Sequence, residues 1–141
     1  MGRFVVEQPL QVHQDEAWKT LSDFGNIATW NTGIDASRII AGPDQGVGAE
    51  RQCDFGKNHL REKIVDWREG QGFTIDFTHF PAPMTAQADL DLHPAGGGSR
   101  FVVQYRFQGK GLMRPFGFLL KPVLRKAIRG LARDFQAAVE S

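Results

Sequence analysis

Cysteine is nearly absent: Cys53 is the only one in 141 residues. A single thiol forms no internal disulfide and no cysteine-built zinc site. It reads as a small buried hydrophobe in a reducing compartment. Long apolar runs are missing too, and nothing approaches the ~18 residues that would span a bilayer. The stretch from Met1 to Pro9 has no apolar run followed by a cleavage site, so no signal peptide is expected. Val6 stands where a myristoylation signal needs Ser or Thr. These absences predict a cytoplasmic protein without stable membrane insertion. Charge of one sign is also lacking. The formal net charge is +1, which creates no overall field towards nucleic acid.

Motifs for cofactor and catalytic chemistry are missing as well. Gly46-Val47-Gly48 lacks the third glycine and the following helix of a dinucleotide fingerprint. Gly109-Lys110-Gly111 has no upstream glycine at phosphate-loop spacing. His13, His59, His79 and His93 are scattered without metal-ligand spacing. There is no Gly-x-Ser-x-Gly elbow. No cofactor and no metal is therefore expected.

What is present is a globular pattern. Hydrophobic residues make up 41% and charged residues 23%, which excludes a disordered chain. A chain of this length buries one core well and two poorly, so residues 1–141 are expected to form a single domain. Phe4 to Val12 alternates as a strand. Asp15 to Leu21 reads as a short helix, with two acids in its first turn. Phe24 to Trp30 reads as a second. Strands are expected at Ala36–Ala41, Glu50–Phe55, Leu60–Trp67, Phe73–Phe80, Met84–Leu92 and Arg100–Gln108, separated by Gly- and Pro-rich turns. A run of strands closed by one helix argues α+β rather than alternating α/β.

The strand faces can be cross-checked. A turn at Lys57-Asn58 sets Phe55 opposite Leu60, Cys53 opposite Glu62 and Arg51 opposite Ile64. Pairing Phe80 with Pro83 sets Phe77 opposite Ala86, Ile75 opposite Ala88 and Phe73 opposite Leu90. The last hairpin then sets Leu90 opposite Phe101, Ala88 opposite Val103 and Ala86 opposite Tyr105. One parity satisfies all three hairpins, as a sheet with one buried face requires. Large aromatics and the small Ala86 and Ala88 share that face, which predicts a pocket there.

From about Pro122 to Val139 the chain is helical. Leu120, Leu124, Ile128, Leu131 and Phe135 mark one apolar face. Lys121, Arg125, Arg129 and Arg133 step by four along the opposite side. Such a stripe is usually a solvated face, and weak contact with an anionic surface or acidic partner is its functional alternative. Pro122 is either a first-turn proline or a kink after a short helix around Arg114 to Leu120. Met113, Phe116, Phe118 and Leu119, near the start of the helix, read as an entrance gate or as core.

Several segments carry a family resemblance. They are Asp15-Glu16-Ala17-Trp18, Asp23 to Trp30, Gly48-Ala49-Glu50-Arg51, Arg61 to Trp67 and Gly96-Gly97-Gly98-Ser99-Arg100, which run almost end to end. In order and spacing the chain resembles the polyketide cyclase/dehydrase-type members of the START-like superfamily. The resemblance implies a helix-grip fold: a curved antiparallel sheet of about seven strands wrapped around a long C-terminal helix, with two short helices after the first strand. It also raises the expectation of ligand binding, although a fold does not supply a reaction.

The candidate site follows from the concave face. Arg51, Cys53, Phe55, Ile64, Ile75, Phe77, Ala86, Ala88, Val103 and Tyr105 are expected to line a ligand pocket. Trp30, Phe116, Leu120 and Leu124 are expected at its mouth or under the helix. With Gly70-Gln71 as the turn, Glu62 stands opposite His79, with Arg51 close to Glu62. A bulge near Asp66-Trp67 would shift this by one pair, and Trp67 otherwise faces outwards. A carboxylate beside an imidazole can serve as a general base pair. Equally, Glu62 and Arg51 can form an ion pair that satisfies both charges in a partly buried sheet.

The leading functional reading is binding or carriage of a small apolar molecule such as a lipid, polyketide or aromatic compound. A cyclase-like or other lyase-type enzyme using Glu62 and His79 is the second. A regulatory module that docks a partner through the C-terminal helix is the third. The expected partner is a small apolar ligand rather than nucleic acid, with the protein a monomer or homodimer.

Overall fold

The computed structural model describes residues 2–141. Seven strands form a single antiparallel sheet: β1 (Gly2–Leu10), β2 (Ala36–Ala41), β3 (Glu50–Phe55), β4 (Asn58–Arg68), β5 (Gly72–His79), β6 (Met84–Ala95) and β7 (Gly98–Gly109). Their order across the sheet is β1-β7-β6-β5-β4-β3-β2, so β1 and β2 are the edges. Helix α1 (Gln14–Leu21) and a 3-10 helix (Phe24–Thr29) follow β1. A second 3-10 segment (Gly111–Leu120) leads into the long helix α2 (Lys121–Glu140). Pro122 lies in the first turn of α2, where its missing N–H costs nothing. This is the α+β helix-grip arrangement expected from the sequence.

Burial alternates along the strands as the shared parity requires. Phe73, Ile75, Phe101, Val103 and Tyr105 are all buried on the face towards α2. Thr74 is also buried, but on the outer face. It donates to Asp89 at 2.6 Å, beneath the Arg68 and Arg106 guanidiniums. The dense core gathers around Phe135, whose ring meets Phe101 at 4.5 Å and Trp30 at 5.2 Å.

Two hairpins shift their register but keep their parity. The β3–β4 turn uses Gly56-Lys57, and Gly56 takes φ +58, which a glycine tolerates. The β6–β7 turn uses Gly96-Gly97. Each shift is by two residues, so side chains keep their face while partners change. Cys53 lies opposite Leu60, Arg51 opposite Glu62, Ala88 opposite Tyr105 and Ala86 opposite Phe107. The β5–β6 pairs Phe73–Leu90 and Ile75–Ala88 stand as expected.

Two bulges interrupt the β4–β5 pairing. Ile64 pairs with Ile75 but Asp66 pairs with Thr74, which leaves Val65 as the extra residue. That insertion turns Trp67 inwards, where it stacks on Phe73 at 5.7 Å and meets Trp18 edge-on. At the other end, Glu62 pairs with Phe77 and Arg61 with His79, with Thr78 unpaired between. His79 is thereby moved off the concave face. It is exposed and stacks on His59 at 4.3 Å. The expected Glu62–His79 pair does not form.

Candidate binding site

Between the sheet and the first half of α2 lies a cavity of about 820 Å³. Strands β3 and β4 supply Cys53, Phe55, Leu60 and Glu62 to its wall. Phe77 and Tyr105 come from β5 and β7, and Phe80, Pro81, Ala82 and Met84 from the β5–β6 turn and the start of β6. Leu120, Leu124, Ile128 and Leu131 descend from the helix side. Val123, Lys126, Ala127 and Gly130 border the mouth with the loop from Asn31 to Ile34. That loop is tied to α2 by Thr32, whose backbone N–H and hydroxyl both donate to Asp134 at 2.8 Å.

Glu62 sets a charge into the mostly apolar wall, and its surroundings are built to hold it. Arg51 and Glu62 face each other across β3 and β4 and are 3% and 6% exposed. Arg51 Nε donates to Glu62 Oε1 at 3.0 Å, and Nη2 lies 3.5 Å from Oε2. The remaining guanidinium nitrogen, Nη1, donates to the Phe24 carbonyl at 2.9 Å, while the group sits 4.0 Å over the Phe24 ring centroid. The short 3-10 helix after α1 thus seals the ion pair from behind. Cys53 Sγ donates to Glu62 Oε1 at 3.3 Å from the cavity side. A buried charge pair needs this kind of saturation to offset desolvation.

Two other titratable groups on the wall are held neutral. Burial pushes the Cys53 thiol well above its ordinary 9.0, and the adjacent Glu62 charge adds to the rise against an opposing pull from Arg51. Cys53 is therefore a poor nucleophile. Burial also pushes the Tyr105 phenol above its ordinary 10.0, again with help from Glu62. The Tyr105 ring is 2% exposed and stacks on Phe4 at 5.2 Å. Tyr105 lines the cavity, and its hydroxyl has no hydrogen-bond partner among the described residues. It is a positioned, protonated donor.

The sequence candidates divide into four groups. Cys53, Phe55, Phe77, Tyr105, Leu120 and Leu124 line the cavity, as does Glu62. Arg51 stands one layer behind Glu62, and Trp30 packs edge-on against Phe135. Ile64, Ile75, Val103, Ala86 and Ala88 belong to the packed floor instead. The two alanines leave no void, because Ala88 is flanked by Ile75 and Tyr105, and Ala86 by Phe107. Phe116 is half exposed outside the cavity, and His79 lies on the outer face. Sequence reasoning missed Leu60 and the Phe80–Ala82 turn. Leu60 shares parity with Glu62, and an apolar Phe-Pro-Ala-Pro-Met turn was the available signal.

The comparisons with known proteins agree with this architecture. A family model described as polyketide cyclase / dehydrase and lipid transport matches residues 1–140. No curated protein matches the sequence. Among solved structures, Ara h 8.0201 superposes with a TM-score of 0.80 at 17% identity, covering 98% of this chain and 97% of that one. A START superfamily protein from Mycobacterium smegmatis gives 0.80 at 14% identity, with coverage of 98% and 97%. The di-domain ARO/CYC StfQ of the steffimycin biosynthetic pathway gives 0.80 at 14% identity, and this chain spans 50% of it. At such identities these likenesses speak for the fold.

Proposed function

Because the chain belongs to the polyketide cyclase/dehydrase and lipid transport family, its cavity is where function is to be sought, and we propose that it binds and carries a small apolar molecule there. The observation that carries this reading is the cavity itself: about 820 Å³ of space with mostly apolar walls. That volume lies within the usual range for small-ligand sites, where apolar burial supplies affinity and a few polar groups fix orientation. The orienting groups here are Tyr105 and Glu62. The phenol donates to a ligand carbonyl or hydroxyl, because it stays protonated. The Glu62 carboxylate is already engaged by Arg51 and Cys53. A neutral ligand with a single oxygen function, such as a ring ketone or a fatty alcohol, fits better than an acid, which would face Glu62.

An enzymatic reading built on Glu62 and His79 loses its geometric support, since His79 is level with Arg61 rather than Glu62. No comparable observation favours it, and carriage is the better reading.

The test uses an uncharged fluorescent probe, N-phenylnaphthylamine. The native protein should enhance its emission saturably. Gly130→Phe should weaken that uptake, since a side chain built at Gly130 meets no atom within 4 Å and extends over the mouth. Probe binding that is unchanged in Gly130→Phe and in Leu124→Trp would sink the proposal.

A further inference from the structure

The second 3-10 segment is wrapped the wrong way round for a core element. Gly109 and Gly117 let its backbone lie directly on the end of β7. A Cβ at Gly109 would collide with the Met113 carbonyl, and one at Gly117 would come within 2.9 Å of the Gly109 nitrogen. With Gly117 turned inwards against Gly109, the segment points its large side chains out. Leu112 is 93% exposed, and Phe116, Phe118, Leu119 and Val123 are each more than half exposed. Isolated exposed leucines need no explanation, but five large apolar side chains within twelve consecutive residues do.

Charge gathers in the same stretch. Seven of the 17 Lys and Arg residues, and no Asp or Glu, lie between positions 110 and 133. The remainder of the chain holds ten basic and 16 acidic residues, so a nearly neutral protein has a strongly basic end. Lys110, Arg114 and Lys126 are exposed around the apolar patch. Val123 belongs both to the patch and to the rim of the cavity mouth.

From this juxtaposition we propose that the 3-10 segment and the first turns of α2 dock on an anionic lipid bilayer, setting the cavity mouth against the membrane. Apolar side chains enter the headgroup boundary and the surrounding cations meet lipid phosphates, the pairing that gives interfacial segments their affinity. Charge decides against a second copy of the chain. A symmetric contact through this patch would oppose two clusters of cations. Docking rests on exposure and charge alone. Only its link to the mouth rests on the carrier reading.

The experiment is cosedimentation with vesicles of phosphatidylcholine alone or mixed equally with phosphatidylglycerol. Binding is expected to the mixed vesicles, to be much weaker on phosphatidylcholine, and to fall with added salt. The double variant Leu112→Ser/Phe118→Ser should bind at least about tenfold more weakly. Lys110→Glu should weaken binding by about fivefold or more. Because these side chains are exposed, the variants should keep the thermal midpoint and the uptake of N-phenylnaphthylamine. No binding to the mixed vesicles, or binding that the Leu112/Phe118 variant leaves intact, would overturn the proposal. So would a patch that instead drives self-association or recruits only a soluble acidic protein. Vesicle failure with probe uptake retained would overturn docking and leave the carrier reading standing. Vesicle binding without probe uptake would do the reverse.

Discussion

The two halves of α2 cover the sheet differently. Towards the C-terminus, Ala132 and Phe135 are fully buried, with Phe135 clamped between Phe101 and Trp30. Towards the N-terminus, Leu124, Ile128 and Leu131 are only partly buried and face the cavity. Yet all of them lie on one continuous apolar stripe. Periodicity states which face of a helix is turned inwards and says nothing of how closely that face approaches its sheet. One half of the helix provides stability and the other leaves space.

Paired truncations are the strongest way to break this contrast. Phe135→Ala should destabilise the protein by about 3–5 kcal/mol, the usual cost of removing a fully packed aromatic ring. Leu124→Ala should cost well below the ~2–5 kcal/mol of a close-packed leucine, because part of its surface already faces empty space. Urea midpoints of the two variants provide the check. Similar losses would mean that the cavity collapses around Leu124 in solution.

The polar cluster gives the next largest effect. Glu62→Gln should cost about 3 kcal/mol, since Arg51 loses its compensating charge in a buried site. The amide still offers one oxygen to Arg51 Nε, which holds the cost at the low end. Chemical denaturation at neutral pH measures it. A neutral outcome would mean that water reaches the pair from the cavity and that the wall is wetter than its packing suggests.

Much of this is legible in the sequence. The parity of the inward face survives even where the pairing partners do not, because the observed turns move strands by two residues. Cys53, Phe55, Glu62, Phe77 and Tyr105 reach the cavity on that basis. His79 does not, because the bulge at Thr78 inserts a single residue and reverses the face that His79 presents. A one-residue insertion has no composition signal. The bulge at Val65 is hinted at by Trp67, an aromatic too large to leave outside. Ala86 and Ala88 fail for a different reason. Small residues make space only if their neighbours leave it, and Tyr105, Ile75 and Phe107 fill it instead. The outward turn of the second 3-10 segment has no sequence signature either, since it depends on two glycine contacts made in three dimensions.

Alkaline pH separates the two regions at intermediate size. Cys53 and Tyr105 have folded-state pKa values raised above 9.0 and 10.0, so the unfolded chain loses these protons first as pH rises. The stability they contribute is present below the ordinary values and is lost above them, by up to about 1.4 kcal/mol per pH unit for each group. Above about pH 9, Tyr105→Phe should therefore show a shallower fall in urea midpoint than the native protein, by a slope that reaches about half a proton's worth near pH 10 and approaches one near pH 11. An identical slope would place the phenol in solvent. Phe135→Ala should leave the slope unchanged, because the dense half holds neither group.

The smallest effect sharpens the contrast most directly. Gly130 sits inside α2 beside the cavity mouth, with ordinary helical backbone and no atom within 4 Å of where a methyl group would stand. Glycine in a helix interior costs roughly 0.5–1 kcal/mol relative to alanine through its extra freedom in the unfolded chain. Gly130→Ala should therefore stabilise the protein by about that amount, with probe uptake little changed because one methyl occupies a small part of the opening. The same substitution in a close-packed helix would clash and cost stability. Thermal and urea midpoints read the sign. A loss would mean that α2 lies closer to the Asn31–Ile34 loop than its Thr32–Asp134 tether requires, and the open half of the molecule would then be as tightly packed as the half around Phe135.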